Sequence, residues 1–468
     1  MEFNTEKYDV SILGSGPAGY FAAIKLSQLG KKVLLVEKDK IGGVCLNVGC
    51  IPTKTMIQGA KVFDEILNAE QYGITVNKPS VNSNIFVRPN NVAVQVCKNL
   101  ESLLNKNNVN VVKGNAFLED KNSISVILDN CEKQYFKSEK IIIATGSRPK
   151  LLKDINVDRK RIFTSNEVFS LGRVPKSIVI IGAGAIGAEF AYIFSTLQTK
   201  VYIIEIADQI LPCEDKDISE YIARVLKRKG CEMFTSFKVE GIIQKEASLE
   251  VNVASENRQA KIESECVLVC VGRTPNIDNI GIEKLGIRCD KGYIEVNKFM
   301  QTSIKNIYAV GDVLNTPAFA HVAYHEALAA SENICGVKKA SGVRYDLVPK
   351  ITYTEPQTAT IGINQKQAEE IYGNNCKASK IYFKANAKAH TINNNEGFLK
   401  VITNKKLELL GASIVGPDAS ELIHQLALIK YANISLDRVK NVIFGHPTLS
   451  EIIWEISNLA AIGKTIHN

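Results

Sequence analysis

The chain has 468 residues, of which 45% are hydrophobic and 23% are charged, and its formal net charge is +8. This composition is typical of a globular protein, and the length allows about three domains of roughly 150 residues each. Lysines and arginines are spread along the chain without a block of like charges, so nucleic-acid binding is not expected. The longest apolar run, SIVIIGAGAIGA, ends at Glu189 and is well short of the roughly 20 residues of a membrane helix.

The 11 cysteines are scattered and odd in number, so a secreted disulfide framework is not expected. A reducing cytoplasm fits this usage better. The first residues include Glu2 and Glu6 and lead directly into strand-like sequence at Tyr8, which is unlike a targeting segment. We therefore expect a cytoplasmic protein, or a mitochondrial matrix protein whose transit segment has been removed.

The first predicted unit is YDVSILGSGPAGYFAAIKLSQLGKKVLLVEK, a buried strand, a glycine turn, an amphipathic helix and a second strand that ends in Glu37. Its turn has the pattern G-x-G-x-x-G at Gly14, Gly16 and Gly19. The first glycine permits the tight turn, the second lets a pyrophosphate approach the backbone, and the third lets helix and strand pack closely. Glu37 ends the second strand, where its carboxylate can accept hydrogen bonds from a ribose.

The same pattern recurs in PKSIVIIGAGAIGAEFAYIFSTLQTKVYIIE, with Gly182, Gly184 and Gly187 in the same frame. Glu205 follows the first of these glycines at the offset that separates Glu37 from Gly14. A glycine-rich structural turn would not explain this recurrence. The sequence therefore predicts two βαβ units and two bound dinucleotides.

Three further segments, IIIATGSRP, VLVCVGRTPN and IYAVGDV, are each predicted as a hydrophobic strand that runs into a glycine turn. From about Tyr345 the pattern changes to antiparallel strands with helices on one face, as in ITYTEPQTATIG and KVITNKKLELLGASIVG. We expect a third domain there.

The segment GGVCLNVGCIPTK holds Cys45 and Cys50 five residues apart. In a regular helix the two side chains would point roughly 140° apart with a rise of about 7.5 Å. A disulfide tolerates at most about 7 Å between Cα atoms, so bonding requires a break in the helix. Gly49 and Pro52 are suited to produce that break. Pro52 also favours a helix start just after Cys50, where the helix dipole lowers the pKa of a thiol.

These motifs, together with AVGD and the terminal HPTLSE, occur in the order found in flavoprotein disulfide reductases, and CLNVGCIPTK resembles the dihydrolipoamide dehydrogenases among them. The resemblance implies an α/β protein with two Rossmann-like domains, which bind FAD and NAD, and a C-terminal α+β dimer-interface domain. The expected domains are an FAD domain at 1–150, an NAD domain at 151–280, a second part of the FAD domain at 281–344 and the interface domain at 345–468.

By this resemblance, Cys45 exchanges with substrate sulfur and Cys50 faces the flavin. Lys54 is expected near the flavin ring, held by Glu189. Thiol exchange needs a base, because only the thiolate attacks. GHPTLSE supplies His446 and Glu451, whose carboxylate can fix the tautomer of the imidazole and raise its basicity.

The resemblance also supplies a set of cofactor contacts. For FAD they are Gly14, Gly16, Gly19, Glu37, Lys54, Ala116, Thr145, Gly146, Ser147, Asp312, Ala318, Phe319, Ala320 and His321. For NAD they are Gly182, Gly184, Gly187, Glu189, Glu205, Val239 and Gly272. The six histidines show no metal-ligand spacing, so no metal is expected.

The implied function is oxidation of a protein-bound dihydrolipoyl group by NAD⁺ through the disulfide and FAD. The implied partners are a second copy of the chain and lipoyl domains, either of the acyltransferases of 2-oxo acid dehydrogenase complexes or of the glycine cleavage system. Each shared active site would combine the cysteines of one chain with His446 and Glu451 of the other.

Rival functions differ at identifiable positions. Glutathione reductases usually have VNVGCVPKK, and mercuric reductases have a C-terminal cysteine pair, whereas this chain ends in GKTIHN. Soluble transhydrogenases normally lack the first redox cysteine, which is present here as Cys45. A catalytically silent binding subunit remains an alternative, although every catalytic position is intact.

Glu205 predicts a preference for NAD over NADP. A 2′-phosphate about 4 Å from its carboxylate would be repelled by roughly 4 kcal/mol at an effective dielectric constant near 20. If movement and salt halve that energy, about 2 kcal/mol of repulsion remains, which still corresponds to more than a tenfold preference for NAD. The following residues, EIADQILPCED, contain no arginine to bind the phosphate. We expect kcat/KM to be at least about tenfold higher with NAD, and comparable values with both nucleotides would contradict this prediction.

Overall fold

The computed structural model of this chain describes residues 7–338 and 341–465. The strands in these residues are, in chain order, β1 (Lys7–Leu13), β2 (Val33–Glu37), β3 (Asn110–Lys113), β4 (Asn115–Asp120), β5 (Ser123–Ile127), β6 (Lys133–Ile143), β7 (Ser147–Pro149), β8 (Ile162–Thr164), β9 (Ser177–Ile181), β10 (Lys200–Glu205), β11 (Glu232–Thr235), β12 (Lys238–Gln244), β13 (Leu249–Ala254), β14 (Gln259–Ser264), β15 (Cys266–Val269), β16 (Arg273–Pro275), β17 (Cys289–Asp290), β18 (Tyr293–Ile294), β19 (Ile307–Ala309), β20 (Lys350–Thr352), β21 (Gln357–Gly362), β22 (Cys376–Tyr382), β23 (Phe398–Asn404) and β24 (Leu409–Gly416).

The α-helices in the same residues are α1 (Pro17–Gln28), α2 (Gly43–Asn47), α3 (Cys50–Leu67), α4 (Asn84–Lys106), α5 (Ala185–Thr196), α6 (Lys216–Arg228), α7 (Ile282–Leu285), α8 (Ala320–Ile334), α9 (Gln365–Tyr372), α10 (Ala387–Thr391), α11 (Ala419–Tyr431), α12 (Leu436–Val439) and α13 (Glu451–Ile462). Within the described ranges, no helix is long and apolar enough to cross a membrane. The chain divides into two compact units. The first comprises Met1–Thr55, Phe86–Lys150 and Arg273–Tyr345, and the second comprises Met56–Ile85, Leu151–Gly272 and Asp346–Asn468.

The first unit is built on a sheet with the strand order β3-β2-β1-β6-β5-β4, and β19 pairs with β6. Strands β3, β2, β1, β6 and β19 run parallel, whereas β4 and β5 pair antiparallel. All residues of β2 are buried, as expected for a parallel strand covered on both faces. The carboxyl ends of β1, β2, β6 and β19 therefore meet at one edge, which gathers the residues that follow them.

The second unit contains a parallel sheet with the order β11-β10-β9-β15-β8. Its segment β10-β9-β15 repeats the arrangement β2-β1-β6 of the first unit, with the first strand of the βαβ unit in the middle. The helix of this βαβ unit, α5, is buried along nearly its whole length. The two predicted βαβ units are thus present, and the predicted α/β fold class is confirmed.

The C-terminal part of the second unit is an antiparallel sheet with the order β20-β21-β24-β23-β22. Helices α11 and α13 pack against this sheet around a core that includes Leu399, Ile414 and Ile453, each 0% exposed. The runs KVITN and GASIVG lie in β23 and β24, whose residues are almost all buried, so these strands are covered on both faces. Helix α13 begins directly after the HPTLS segment.

Candidate active site

The first glycine loop joins β1 to α1 and brings backbone atoms closer together than a side chain would allow. Gly14 has a φ of +99°, and a Cβ there would lie 2.4 Å from the carbonyl oxygen of Ala144. A Cβ at Gly19 would lie 1.8 Å from the carbonyl oxygen of Gly14. By contrast, no described atom lies within 4 Å of a Cβ built on Gly16. The outer glycines therefore serve packing, and the middle one faces open space.

The second loop, between β9 and α5, repeats this geometry. Gly182 has a φ of +101°, and its Cβ would lie 2.5 Å from the carbonyl oxygen of Cys270. A Cβ at Gly187 would lie 2.0 Å from the carbonyl oxygen of Gly182, while a Cβ at Gly184 would meet no described atom within 4 Å. The two loops thus share the division of roles that the sequence predicts for the three glycines.

Both helices that follow these loops have open N-termini. Gly16 caps α1 and Gly184 caps α5, and among the described residues no side chain makes a capping hydrogen bond to either helix. The first-turn N–H groups and the positive end of the helix dipole therefore remain directed at the space beside the middle glycine. An anionic pyrophosphate fits this space in each loop, so the chain can hold two dinucleotides.

The two predicted ribose ligands also bind the backbone of their own loops. Glu37 accepts hydrogen bonds from Ser15 N at 2.8 Å and Ser15 Oγ at 2.7 Å. Glu205 accepts hydrogen bonds from Ala183 N at 2.7 Å and from Ala207 N at 2.9 Å. Both carboxylates are 8% exposed and retain acceptor capacity beyond these bonds.

Other predicted flavin contacts collect at the carboxyl edge of the first sheet. Ser147 Oγ donates to Asp312 Oδ2 at 2.5 Å, and Arg273 Nε donates to Ser147 Oγ at 2.6 Å. Burial lowers the pKa of Arg273, although Asp312 opposes that shift. Thr145 Oγ1 donates to the carbonyl oxygen of Asn276 at 2.6 Å. The turn after β6 and the turn after β19 are therefore fixed to each other by polar side chains.

The remaining predicted contacts occupy defined places in their own units. Ala116 lies on β4 and packs partly buried against the first core, and Val239 lies on β12 beside a bulge in the β12–β13 pairing. In the first unit, Ala318 and Phe319 directly precede α8, and Ala320 and His321 are its first two residues. The rings of Phe319 and His321 stack with centroids 5.2 Å apart. The others are Gly146 and Gly272 in turns with φ of +67° and +109°, Lys54 on α3, and Glu189 on α5.

Cys45 and Cys50 lie on two separate helices, as the spacing argument requires. Cys45 is in α2, Cys50 is the first residue of α3, and Val48 between them has a non-helical φ of −141°. A Cβ at Gly49 would lie 2.9 Å from the carbonyl oxygen of Val44 and 3.2 Å from the Cα atom of Cys45. Gly49 therefore permits the close approach that brings the two thiols into hydrogen-bonding contact.

The surroundings of Cys45 favour its protonated form. The hydrogen bond with Cys50 and burial both raise the pKa of Cys45, while the positive charge of Lys54 acts in the opposite direction. Cys45 therefore needs a base to react as a thiolate. Tyr20 and Tyr324 hydrogen-bond through their hydroxyl groups at 2.5 Å. Burial is the main cause that raises the pKa of Tyr20, and both cysteines add to it, so this tyrosine pair shares the electrostatic environment of the thiols.

His446 and Glu451 form the predicted acid-base pair in the second unit. His446 Nδ1 lies 3.0 Å from Glu451 Oε1, and Thr448 N donates to Glu451 Oε2 at 2.7 Å. The histidine side chain is 67% exposed, whereas that of Glu451 is 14% exposed. The carboxylate thus holds one imidazole nitrogen and leaves Nε2 accessible to a reactant.

The loop that carries His446 is anchored by amide side chains. Asn386 Nδ2 donates to the carbonyl oxygen of Thr448 at 3.0 Å, and Gln425 Nε2 donates to Ser450 Oγ at 2.8 Å. Asn386 is itself fixed because its Oδ1 accepts from Ala389 N at 2.9 Å. A pocket beside the imidazole is lined by residues that include Ile381, Tyr382 and Asn386.

Residues 8–327 match the family described as pyridine nucleotide-disulphide oxidoreductase, and residues 348–457 match its dimerisation domain. The chain belongs to the pyridine nucleotide-disulphide oxidoreductases. The dihydrolipoyl dehydrogenase of Zymomonas mobilis is 36% identical over 99% of each chain, and that of Geobacillus stearothermophilus is 38% identical over 97% of this chain and 96% of its own. The crystal structure of LpdA from Mycobacterium tuberculosis superposes with a TM-score of 0.91 at 25% identity, over 96% of this chain and 99% of that one. The resemblance predicted from the motifs is confirmed.

The sequence interpretation missed several side chains of this site. Arg273 and Asn276 stand in the quoted VGRTPN motif, of which the family resemblance predicts only Gly272 as a contact. Asn386 does not belong to a recognisable motif. It anchors the His446 loop through a hydrogen bond to Thr448, which is 62 residues away in the sequence. Residue spacing cannot reveal such long-range partners.

The close approach at Gly49 leads to a prediction about Gly49→Ala. The added Cβ would displace the start of α3 from Cys45, so the Cys45–Cys50 disulfide should form less readily. We expect the equilibrium constant for disulfide formation in a glutathione buffer to fall by about tenfold, which corresponds to about 30 mV. Thiol titration at defined redox potentials measures this change.

Gly59→Ala on the same helix is the matched control. Its Cβ would meet only the side-chain atom Ile85 Cδ1, at 2.6 Å, within 4 Å among the described atoms. That end of a flexible side chain can rotate away. Equal disulfide stability in the two variants would contradict the assigned role of Gly49.

Proposed function

We propose that this chain is an NAD-dependent flavoprotein oxidoreductase that oxidises protein-bound dihydrolipoyl groups to lipoyl groups. The observation that carries the proposal is the contact between Cys45 and Cys50, at a helix junction next to a phosphate-binding loop. The names of the full-length relatives support the same substrate.

The cofactors are FAD and NAD, in keeping with the family. Bound FAD supplies two-electron chemistry between a dithiol and the nicotinamide. We assign FAD to the first glycine loop and NAD to the second. The open N-termini of α1 and α5 support this assignment. So do Glu37, which ends β2 in the first unit, and Glu205, which ends β10 in the second. We also propose that the other residues predicted from the sequence, Lys54 among them, contact the cofactors, and that the four domains have the boundaries predicted above.

The thiol chemistry follows from the side chains of the chain. His446 Nε2 takes a proton from the dihydrolipoyl thiol, and Glu451 stabilises the imidazolium through Nδ1. The thiolate attacks Sγ of Cys45, which breaks the Cys45–Cys50 bond and forms a mixed disulfide. The second substrate sulfur then attacks the first and breaks the bond to Cys45, and its proton passes to the departing Cys45 Sγ. Lipoyl leaves as a disulfide, Cys45 is then a thiol and Cys50 a thiolate. Two electrons have passed from the substrate to the dithiol.

The chain forms a homodimer through its dimerisation domain. Large apolar side chains are exposed in this region, with Leu428 at 69%, Tyr431 at 70% and Ile443 at 96%. Such surface is consistent with burial against a second chain. We propose that each active site combines Cys45 and Cys50 of one chain with His446 and Glu451 of the other.

Lipoyl domains of 2-oxo acid dehydrogenase complexes or of the glycine cleavage system are the proposed partners, and the cytoplasm is the proposed compartment. An assay of purified protein tests the function, with dihydrolipoamide and NAD⁺ as substrates and NADH absorbance as the readout. Glutathione disulfide and Hg²⁺ with NADPH serve as comparison substrates. Turnover of either comparison substrate in place of dihydrolipoamide would reject the proposal.

The two cysteines should have separable roles. Cys50→Ser should abolish both lipoamide turnover and the long-wavelength absorbance that a thiolate produces beside a flavin. Cys45→Ser should keep that absorbance and lose turnover, because the thiolate remains but exchange with substrate is impossible. Absorbance spectra and the NADH assay measure both properties. If both single variants turned over lipoamide, the disulfide assignment would be wrong.

Shared active sites predict complementation between two inactive variants. When Cys45→Ser and His446→Ala subunits exchange, both defects of a heterodimer fall in one site and the other site is wild type. Random exchange should therefore restore activity to about a quarter of all sites. A mixture of Cys45→Ser and Cys50→Ser is the control, because every site then keeps one defect. Inactivity of the first mixture, with exchange proven by mass spectrometry, would reject shared sites.

A further inference from the structure

Glu326 lies on α8 and is the least exposed carboxylate among the described residues, at 0%. The proposed thiol chemistry does not use it. A carboxylate is costly to bury unless its oxygens accept hydrogen bonds. The partners of Glu326 therefore indicate what the residue does.

Three donors from three segments converge on this carboxylate. Gly311 N donates to Oε2 at 2.7 Å, and Thr316 Oγ1 and Tyr345 Oη each donate to Oε1 at 2.8 Å. Burial raises the pKa of Glu326, and the hydrogen bonds from Thr316, Gly311 and Tyr345 oppose that shift. Both oxygens are thus acceptors for groups that belong to the turn after β19, to the loop before α8 and to the end of the first unit.

The turn that Glu326 holds carries Asp312. Gly311 has a φ of +77°, and a Cβ there would lie 3.2 Å from the Cβ atom of Ala18 on α1. The turn therefore packs against the helix of the first glycine loop. Asp312 follows directly and accepts the hydrogen bond from Ser147, so a shift of the Gly311 peptide would move the Asp312 carboxylate.

We propose that Glu326 is a positioning residue for the flavin site. Its carboxylate fixes residues 311–316 and thereby orients Asp312 and the following segment, Ala318 to His321, toward FAD. The inference rests on the proposed function, in which these residues contact FAD, and it adds a group that does not itself contact the cofactor.

Glu326→Gln tests the inference with little change of shape. The amide would direct N–H groups at two hydroxyls that now donate, and the charge of the acceptor would be lost. We expect the dissociation constant of FAD from the apoprotein to rise by at least about tenfold, as for loss of hydrogen bonds to a charged group. We also expect a shift in the midpoint potential and in the visible circular dichroism of the bound flavin.

Ser331→Ala is the matched control on the same helix. Ser331 is also 0% exposed, and its hydroxyl donates to the carbonyl oxygen of Ala327 in its own helix. We expect unchanged FAD affinity and an unchanged flavin potential for this variant. If Glu326→Gln lowered only the melting temperature of the apoprotein, as a merely structural residue would, the inference would be overturned.

Two further variants keep the test decisive. If Glu326→Gln fails to fold, the double variant Thr316→Val with Tyr345→Phe removes the two donors to Oε1, and FAD affinity that matches wild type would overturn the inference. Asp312→Ala tests the proposed flavin contact directly. If only Asp312→Ala weakens FAD binding, this inference fails alone. If Asp312→Ala has no effect either, the assigned flavin site fails as well.

Discussion

In each nucleotide loop, the third glycine lies against the carbonyl oxygen of the first, and the rest of the loop depends on this contact. A Cβ atom would lie 1.8 Å from that oxygen at Gly19 and 2.0 Å from it at Gly187. These distances exclude every residue with a side chain at the two positions. Only glycine lets the helix start directly above the end of the strand. With the helix held there, its uncapped N–H groups and the open middle glycine form a site for phosphate.

The first loop extends this close backbone packing to the thiols. A Cβ at Gly43 would lie 2.8 Å from the Cα atom of Gly16, and a Cβ at Gly49 would lie 2.9 Å from the carbonyl oxygen of Val44. Gly43 begins α2, which carries Cys45, and Gly49 immediately precedes Cys50. Contacts between backbone groups therefore connect the phosphate loop to the cysteine pair without a flexible side chain. The position of the thiols relative to the phosphate loop is therefore fixed by the main chain.

The sequence predicts those parts of the protein that depend on local constraints. Gly14 and Gly182 mark their turns because φ near +100° is a local requirement, and the helix break between Cys45 and Cys50 follows from disulfide geometry. Glu326 carries no such signal, because a glutamate on a helix is usually exposed and its burial depends on tertiary packing. Arg273 reaches Ser147 across 126 residues, which no local pattern encodes.

Four glutamates perform the same physical task at four functional loops. Each carboxylate accepts a hydrogen bond from a backbone N–H of the loop beside it. Ser15 N donates to Glu37 and Ala183 N donates to Glu205. Gly311 N donates to Glu326 and Thr448 N donates to Glu451. A charged acceptor makes such a bond stronger than a neutral one. A carboxylate also has about four lone-pair sites, so it can hold a loop and still bind a second group. In Glu451 that second group is His446, and in Glu37 and Glu205 the remaining capacity suits a ribose. Glu326 uses its other oxygen for two hydroxyls of the protein, which explains why it acts on the loop and not on a ligand.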